Sequence, residues 1–267
     1  MLVPFTLCLA AVQAQSIQVL SEFRRVDAKG AIVKADEGGK PREILSPGLM
    51  RNTFYSLRVV VDPPKGKWFQ FEIAQNPEGL GVTVYKELPG TQGRLEKVAM
   101  PVHKIGERLE VYWLDLWIPP RAPVRRIRIE AQLHDGEGWR IAPMEVRVLK
   151  GIAPQPKRAG AQLPAWADSA DAPARQAMRE FVCDEVPKPA LPGLTVSALV
   201  RRNAMQDVAI ARALQLQWGR TKLQEAMVKA AGGEDPGAWC GARRHESADG
   251  PEWYLRVRDF LYREASR

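Results

Sequence analysis

Histidine and cysteine are scarce in this 267-residue sequence, which contains three of each. The histidines, His103, His134 and His245, stand far apart and match no HExxH or other paired-ligand spacing, so the sequence predicts no metal site. The GxSxG, SxxK, CxxCH and glycine-rich nucleotide-binding motifs are also missing. We therefore assign no catalytic residue, metal ligand or cofactor, and the sequence favours a protein that is not an enzyme.

Long apolar runs are missing as well. Residues 1–14 (MLVPFTLCLAAVQA) carry no charge and end in small residues at the positions that signal peptidase reads, which predicts a secretory signal peptide cleaved before Gln15. The alternative is a buried N-terminal strand or helix. After cleavage no remaining run is long enough to span a bilayer. These features predict a periplasmic or secreted protein without a transmembrane segment.

The cysteines fit an exported protein. Cys8 lies within the predicted signal, which leaves Cys183 and Cys240 in the mature chain. An even number of cysteines in an exported chain predicts a disulfide bond. Closing a loop of this length would stabilise the fold by about 4 kcal/mol.

No lysine-rich or arginine-rich run accompanies the net charge of +8. Because the excess is spread thinly, we interpret it mainly as a solubility property and expect no specific nucleic-acid binding. Arg201 and Arg202, together with Arg212 and Arg220, could form a basic helical face toward an anionic partner, although a solvated face is the favoured interpretation. Among the histidines His245 is the strongest candidate for chemistry, because it lies beside Glu246 in a polar loop near Cys240, but a catalytic role is not the favoured interpretation. We include it with Trp113, Trp117, Arg201 and Arg202 as a candidate binding surface.

The segment 110–133 predicts the centre of a β structure. Ile127, Ile129, Ala131 and Leu133 alternate with polar residues, as in a half-buried strand, whereas 110–118 is apolar on both faces, as in an inner strand. A proline-rich corner separates the two runs. Trp113 and Trp117 lie on one face of the first run. We interpret them mainly as core residues, and the alternative is an exposed aromatic platform for a sugar or polymer.

Six further runs predict strands: residues 16–26, 53–62, 68–74, 81–86, 95–100 and 139–149. We expect hairpins between 53–62 and 68–74 and between 125–133 and 139–149. About eight strands with frequent turns predict an antiparallel β-sandwich. This pattern resembles immunoglobulin-like or fibronectin-like modules in architecture only, because the cysteine, tryptophan, cysteine pattern of immunoglobulin domains is missing.

The C-terminal part of the sequence predicts helices. A linker rich in proline and alanine, 151–171, follows the predicted sandwich domain at 15–150 and precedes a helical domain at 172–267. Within that domain we expect helices from Pro173 toward Cys183, from Ser197 to Trp218, from there to Gly232, and from Pro251 to Glu264, the last capped by Asp249. The fold class is therefore mainly β with an α-helical C-terminal region.

Two functions are compatible with these features. The first is an exported, non-catalytic binding or assembly protein of the cell envelope, with the sandwich as scaffold and the helical domain contacting another envelope or extracellular protein or an anionic polymer. The second is an extracytoplasmic hydrolase that acts on glycan or peptide at the domain junction. Converging carboxylates or His245 in a junction pocket would favour the hydrolase.

Overall fold

The computed structural model describes residues 16–22, 45–74, 80–91, 93–154, 195–232 and 250–267. Several predictions concern residues outside these ranges. They are the signal peptide, most of the linker, the helix beginning at Pro173, the Cys183–Cys240 bridge, the Asp249 cap and His245.

Ten strands form two five-stranded sheets in the described part of the chain. The strands are β1 (Ile17–Ser21), β2 (Gly48–Arg51), β3 (Thr53–Val61), β4 (Trp68–Ala74), β5 (Gly81–Glu87), β6 (Leu95–Val98), β7 (Val102–Ile105), β8 (Glu110–Ile118), β9 (Arg126–His134) and β10 (Trp139–Ile152). The first sheet has the order β1-β3-β8-β5-β6 and the second has the order β2-β10-β9-β4-β7. The prediction of a mainly β chain is thereby confirmed.

One of the two predicted hairpins is confirmed and the other is wrong. β9 and β10 pair antiparallel from Trp139 opposite His134 to Arg147 opposite Arg126, as predicted. β3 and β4, in contrast, belong to different sheets. The chain between them contains Pro63 and Pro64, which have no N–H to donate to a ladder, and it crosses from one sheet to the other. A second departure is the β2–β10 pair, which is parallel.

The two sheets pack against each other through a shared apolar core. The rings of Phe71 in β4 and Tyr112 in β8 have their centroids 4.7 Å apart. On β9 the alternating residues Ile127, Ile129, Ala131 and Leu133 are all buried, as their period of two predicts. β8 is the middle strand of the first sheet, which agrees with the prediction of an inner strand.

Three described helices make up the C-terminal region: α1 (Val196–Trp218), α2 (Arg220–Ala231) and α3 (Gly250–Glu264). Their bounds agree with the predicted ones to within one or two residues. The Thr195 side chain caps α1 by accepting a hydrogen bond from the Ala198 N–H. Gly219 and Gly232, which end α1 and α2, have φ angles of 81° and 95° that favour glycine.

The helices pack on the sheets. Helix α1 contacts β3, and α3 contacts β2 and β10. Apolar residues of all three helices belong to the same core as those of the strands. Two groups of side chains therefore meet where helices and sheets join, one over the first sheet and one beside β2. None of the described helices is both long enough and apolar enough to cross a membrane.

Candidate functional site

Polar side chains fill the space between α1, α3 and the first sheet, and we call them the buried ion network. Its members are Glu22, Ser56, Asp115, Arg202, Asn203, Gln206, Asp207, Arg258 and Tyr262. All except Arg202 are buried. A buried charge without a partner is strongly destabilising, so the pairing within the network decides whether it is structural or open to a ligand.

One half of the network is centred on Arg258. Its Nη1 lies 2.6 Å from Glu22 Oε1, and its Nε donates to Asp207 Oδ2 at 2.8 Å. The Tyr262 hydroxyl donates to the other oxygen of Asp207 at 2.6 Å. Burial raises the pKa of Glu22, and the opposing effects of Arg258 and Asn203 are smaller. The charges in this half are therefore paired inside the protein.

The other half is centred on Asp115. Arg202 donates to both of its carboxylate oxygens, at 2.9 and 2.6 Å, and the Ser56 hydroxyl donates to Oδ1 at 2.8 Å. The Arg202 guanidinium also lies 3.7 Å from the ring centroid of Phe54. Asn203 joins the two halves by donating to Glu22 and Ser56. Arg202 is thus directed at the sheet, where a carboxylate neutralises it.

Gln206 fixes helix α1 to the backbone of β3. Its Oε1 accepts a hydrogen bond from the Phe54 N–H at 2.8 Å, and its Nε2 donates to the Phe54 carbonyl at 3.2 Å. The same Nε2 donates to the Tyr262 hydroxyl at 2.7 Å. One side chain therefore links the first sheet to both α1 and α3.

The two tryptophans of the predicted surface differ in their exposure. Trp113 has no exposed area, its Nε1 donates to Glu87, and Arg58 lies over its ring. Trp117 is partly exposed and packs on Phe54, with ring centroids 4.4 Å apart. The two tryptophans therefore present no exposed aromatic platform.

The basic residues of the predicted surface are described only in part. Arg201 lies in α1, but its side chain is outside the described part of the structure, as is His245. Arg212 is exposed on α1, whereas Arg202 is directed at Asp115. Arg202 and Arg212 therefore do not lie together on one exposed basic face.

A cavity of about 520 Å³ adjoins the network where α2 and α3 meet β2 and β10, and we call it the junction cavity. Its apolar lining consists of Leu49, Tyr55, Ala226, Ala230, Leu255 and Phe260. Its charged lining consists of Arg147, Lys229, Arg256, Arg258, Arg263 and Asp259. This volume is within the range typical of small-molecule sites.

The charges of the junction cavity do not balance. Asp259 is the one carboxylate among its lining residues, and it is shared between Arg263, at 2.8 Å, and Arg147, at 3.7 Å. Arg256 donates through Nη2 to the Ala231 carbonyl at the end of α2, but its Nε is buried without a hydrogen-bond partner among the described residues. The arrangement therefore supplies hydrogen-bond donors and positive charge beside an apolar surface, which suits binding.

Neither hydrolysis nor metal binding finds support in this lining. A single ion-paired carboxylate does not provide the two converging carboxylates that glycoside hydrolysis requires. Across the described residues, no group of three His, Cys, Asp or Glu side chains is placed to hold a metal ion.

Sequence reasoning missed the junction cavity because its residues come from distant segments. Arg147 is in β10, Lys229 in α2, and Arg256 and Arg263 in α3. One signal was present: Arg256, Asp259 and Arg263 follow each other at spacings of three and four, which places them on one face of a helix. Gly48 in β2 also lines the cavity, but the sequence around it gives no comparable signal.

Comparison with known proteins assigns no family to this chain. No family profile and no curated protein matches it.

Among solved structures, a family 123 glycoside hydrolase from Clostridium perfringens has a TM-score of 0.36 and 11% identity, covering 62% of this chain and 32% of that one. The PapD-like domain 7 of human CEP192 has a TM-score of 0.25 and 5% identity over 55% of this chain and 94% of that one. A Niemann-Pick type C2 protein from the Japanese carpenter ant has a TM-score of 0.23 and 7% identity over 38% of this chain and 78% of that one. The chain spans about a third of the length of the hydrolase it resembles, and scores this low leave the function to be argued from the site.

Proposed function

We propose that this chain is an exported, non-catalytic binding protein of the cell envelope, in which the two-sheet unit is a scaffold and the helices supply the contact element. The observation that supports this most directly is the junction cavity, which α2 and α3 form against β2. It combines an apolar surface with side-chain donors. Among the described lining residues, no pair supplies the nucleophile and the general base that a hydrolase would use.

The finer description of the fold is part of the same proposal. We infer that the two sheets form a sandwich of immunoglobulin-like or fibronectin-like architecture. The shared core and the antiparallel pairing of every strand pair described, apart from β2 with β10, support this inference. In this arrangement the sheets hold Gly48 and Arg147 in fixed positions, and the helices cover them to enclose the cavity.

Binding at the junction cavity can be tested by filling it. Ala230 faces the cavity from α2, whereas Glu225 in the same helix is exposed and outside the lining. We expect Ala230→Trp to weaken the binding of the fluorescent probe 1-anilinonaphthalene-8-sulfonate at least tenfold, because the indole occupies the site. The matched variant Glu225→Trp is expected to bind as the unsubstituted protein does.

Folding has to be controlled in this comparison. Circular dichroism and the urea midpoint should show that Ala230→Trp is folded, and Ala226→Met provides a milder filling of the same cavity if it is not. Probe binding that is equal in Ala230→Trp, Ala226→Met and Glu225→Trp would contradict the proposed site.

Export has its own measurement. The mass of the protein recovered from the envelope fraction of cells that express the full sequence is expected to correspond to a chain that begins at Gln15. A full-length chain confined to the cytoplasm would contradict export without affecting the binding site.

A further inference from the structure

We propose that the junction cavity binds an apolar molecule that carries an anionic carboxylate or phosphate group. This inference rests on the proposed binding function and specifies its ligand class. It follows from the charge of the lining, the position of the uncompensated donors and the apolar surface beside them.

The charge argument begins with the pairs that are already made. Arg258 is neutralised by the carboxylates of the buried ion network, so it contributes little to a ligand. Asp259 carries one negative charge and is shared by two arginines, Arg147 and Arg263, which leaves this trio with one excess positive charge. Lys229 and Arg256 form no ion pair with a described residue and add to that excess. An anion would therefore neutralise a charge that the described residues around the cavity leave unbalanced.

The donors are also positioned for an oxygen-rich group. Arg256 uses Nη2 to hold the last turn of α2, and its buried Nε has no hydrogen-bond partner in the described structure. A buried donor without an acceptor is unfavourable, and an anionic oxygen would remove that penalty. Because a hydrogen bond to a charged acceptor is stronger than one to a neutral acceptor, a carboxylate or phosphate fits this position better than a hydroxyl group.

The rest of the ligand has to be apolar. Leu49, Leu255 and Phe260 line the cavity together with two alanines of α2, and Tyr55 is the one polar side chain in that part of the lining. Burying a hydrocarbon chain there is favourable because it removes apolar surface from water. A small inorganic anion would leave this surface in contact with water, so the combination favours an amphipathic anion.

The proposal can be tested with four ligands that share one hydrocarbon chain: dodecanoate, dodecyl phosphate, 1-dodecanol and dodecyltrimethylammonium, all below their aggregation concentrations. Affinities are measured with the full protein by displacement of the fluorescent probe. We expect dodecanoate or dodecyl phosphate to bind at least tenfold more tightly than the alcohol, and the ammonium compound to bind most weakly. The ratio between the two anions then separates a fatty-acid type of ligand from a phosphate-bearing one.

Variants identify the residues responsible. Lys229→Met removes a cation but no hydrogen bond of the described structure, and Arg256→Met removes the unsatisfied donor while keeping apolar volume. Each is expected to weaken anion binding about tenfold and to leave dodecanol binding unchanged. The control Arg212→Met removes an exposed cation outside the cavity and should change neither.

The outcomes are distinguishable. Equal affinity for the alcohol and the anions, or anion binding that both Lys229→Met and Arg256→Met leave unchanged, would overturn the anion inference and leave the proposed binding function standing. If Ala230→Trp does not weaken the binding of any of these ligands, the proposed function fails as well. Anion preference should also decrease between 0.05 and 0.5 M salt, because ions screen exposed charges.

Discussion

The buried ion network and the junction cavity both adjoin helix α3, which supplies arginines to each, and Arg258 belongs to the network while also lining the cavity. Toward the network, Arg258 is enclosed by two carboxylates and is 4% exposed. Toward the cavity, Arg263 shares one carboxylate, Asp259, with Arg147 of β10, and Lys229 and Arg256 add further positive charge to the lining. Where charges are matched and buried, their role is to fix the packing of helix on sheet. Where positive charge is in excess beside an apolar surface, the arrangement suits a ligand.

The largest expected effect is the difference in stability between the same substitution made at Arg258 and at Arg263. Arg258→Met would leave Glu22 and Asp207 buried without their cation, so we expect the free energy of unfolding to fall by about 3–5 kcal/mol. Arg263→Met, at a side chain that is 59% exposed, should cost less than about 1 kcal/mol. Urea unfolding of both variants measures this difference, and equal losses would contradict the division between network and cavity.

The second half of the network predicts a smaller loss. Arg202→Met would remove both hydrogen bonds to buried Asp115 and leave that carboxylate with the Ser56 hydroxyl. We expect a loss of about 1.5–3 kcal/mol in the free energy of unfolding. Arg212→Met, on the exposed side of the same helix, serves as control and should differ from the unsubstituted protein by less than about 0.5 kcal/mol.

The pH dependence of stability tests the network by another route. The pKa of Glu22 is raised in the folded protein, chiefly by burial. At pH values between the ordinary pKa of Glu22, 4.5, and its raised pKa in the folded protein, the folded protein binds the proton more tightly than the unfolded chain does. The free energy of unfolding therefore falls as the pH rises above about 4.5, by at most about 1.4 kcal/mol per pH unit.

This contribution can be isolated with a Glu22→Gln variant, which cannot titrate at that position. The difference in unfolding free energy between Glu22→Gln and the unsubstituted protein should therefore change in favour of the variant as the pH rises. Urea unfolding from pH 4 to pH 8 measures it. A difference that stays constant over this range would show that Glu22 does not titrate as expected.

The smallest effect on stability is expected within the cavity. Asp259→Asn removes the carboxylate from the lining and breaks a partly exposed pair with Arg263, which should cost about 0.5 kcal/mol or less. The same substitution increases the positive excess, so dodecanoate should bind several-fold more tightly. Weaker anion binding in Asp259→Asn would show that Asp259 positions the arginines for the ligand.

Local sequence patterns predicted the regular elements well. The alternation in β9 and the helical spacing in α1 and α2 arise because burial of one face imposes a period on the chain. Gly219 and Gly232 marked the helix ends because their positive φ angles favour glycine. The four-residue strands β2 and β7 were missed because so few residues give only a weak period, whereas β6, which is equally short, was predicted within 95–100.

Long-range placement could not be predicted in the same way. The pattern of β3 and β4 was correct, but it contained no information on which sheet each strand joins. Arg202 could be solvated or paired, and Asp115, which decides between these, is 87 residues away in the sequence. The tryptophans of β8 were expected chiefly in the core, and Trp113 lies there. The side chains that pack on this face of the sheet include residues of α1, which is distant in the sequence and could not be predicted to lie there.

The contact of Gln206 with Phe54 has a further consequence for self-association. β1 pairs with β3 only from Leu57 to Val61, so β1 does not reach Phe54. The N–H and carbonyl groups of Phe54 face away from β8 and therefore have no partner in β1. The Gln206 side chain directs its amide oxygen and one of its two N–H groups at Phe54, as a peptide group would, and it occupies both hydrogen-bonding groups of Phe54. An unoccupied edge of this kind is a template on which a strand of another molecule can add. Through one amide, helix α1 closes this part of the edge of β3 to intermolecular strand addition, the first step of ordered aggregation.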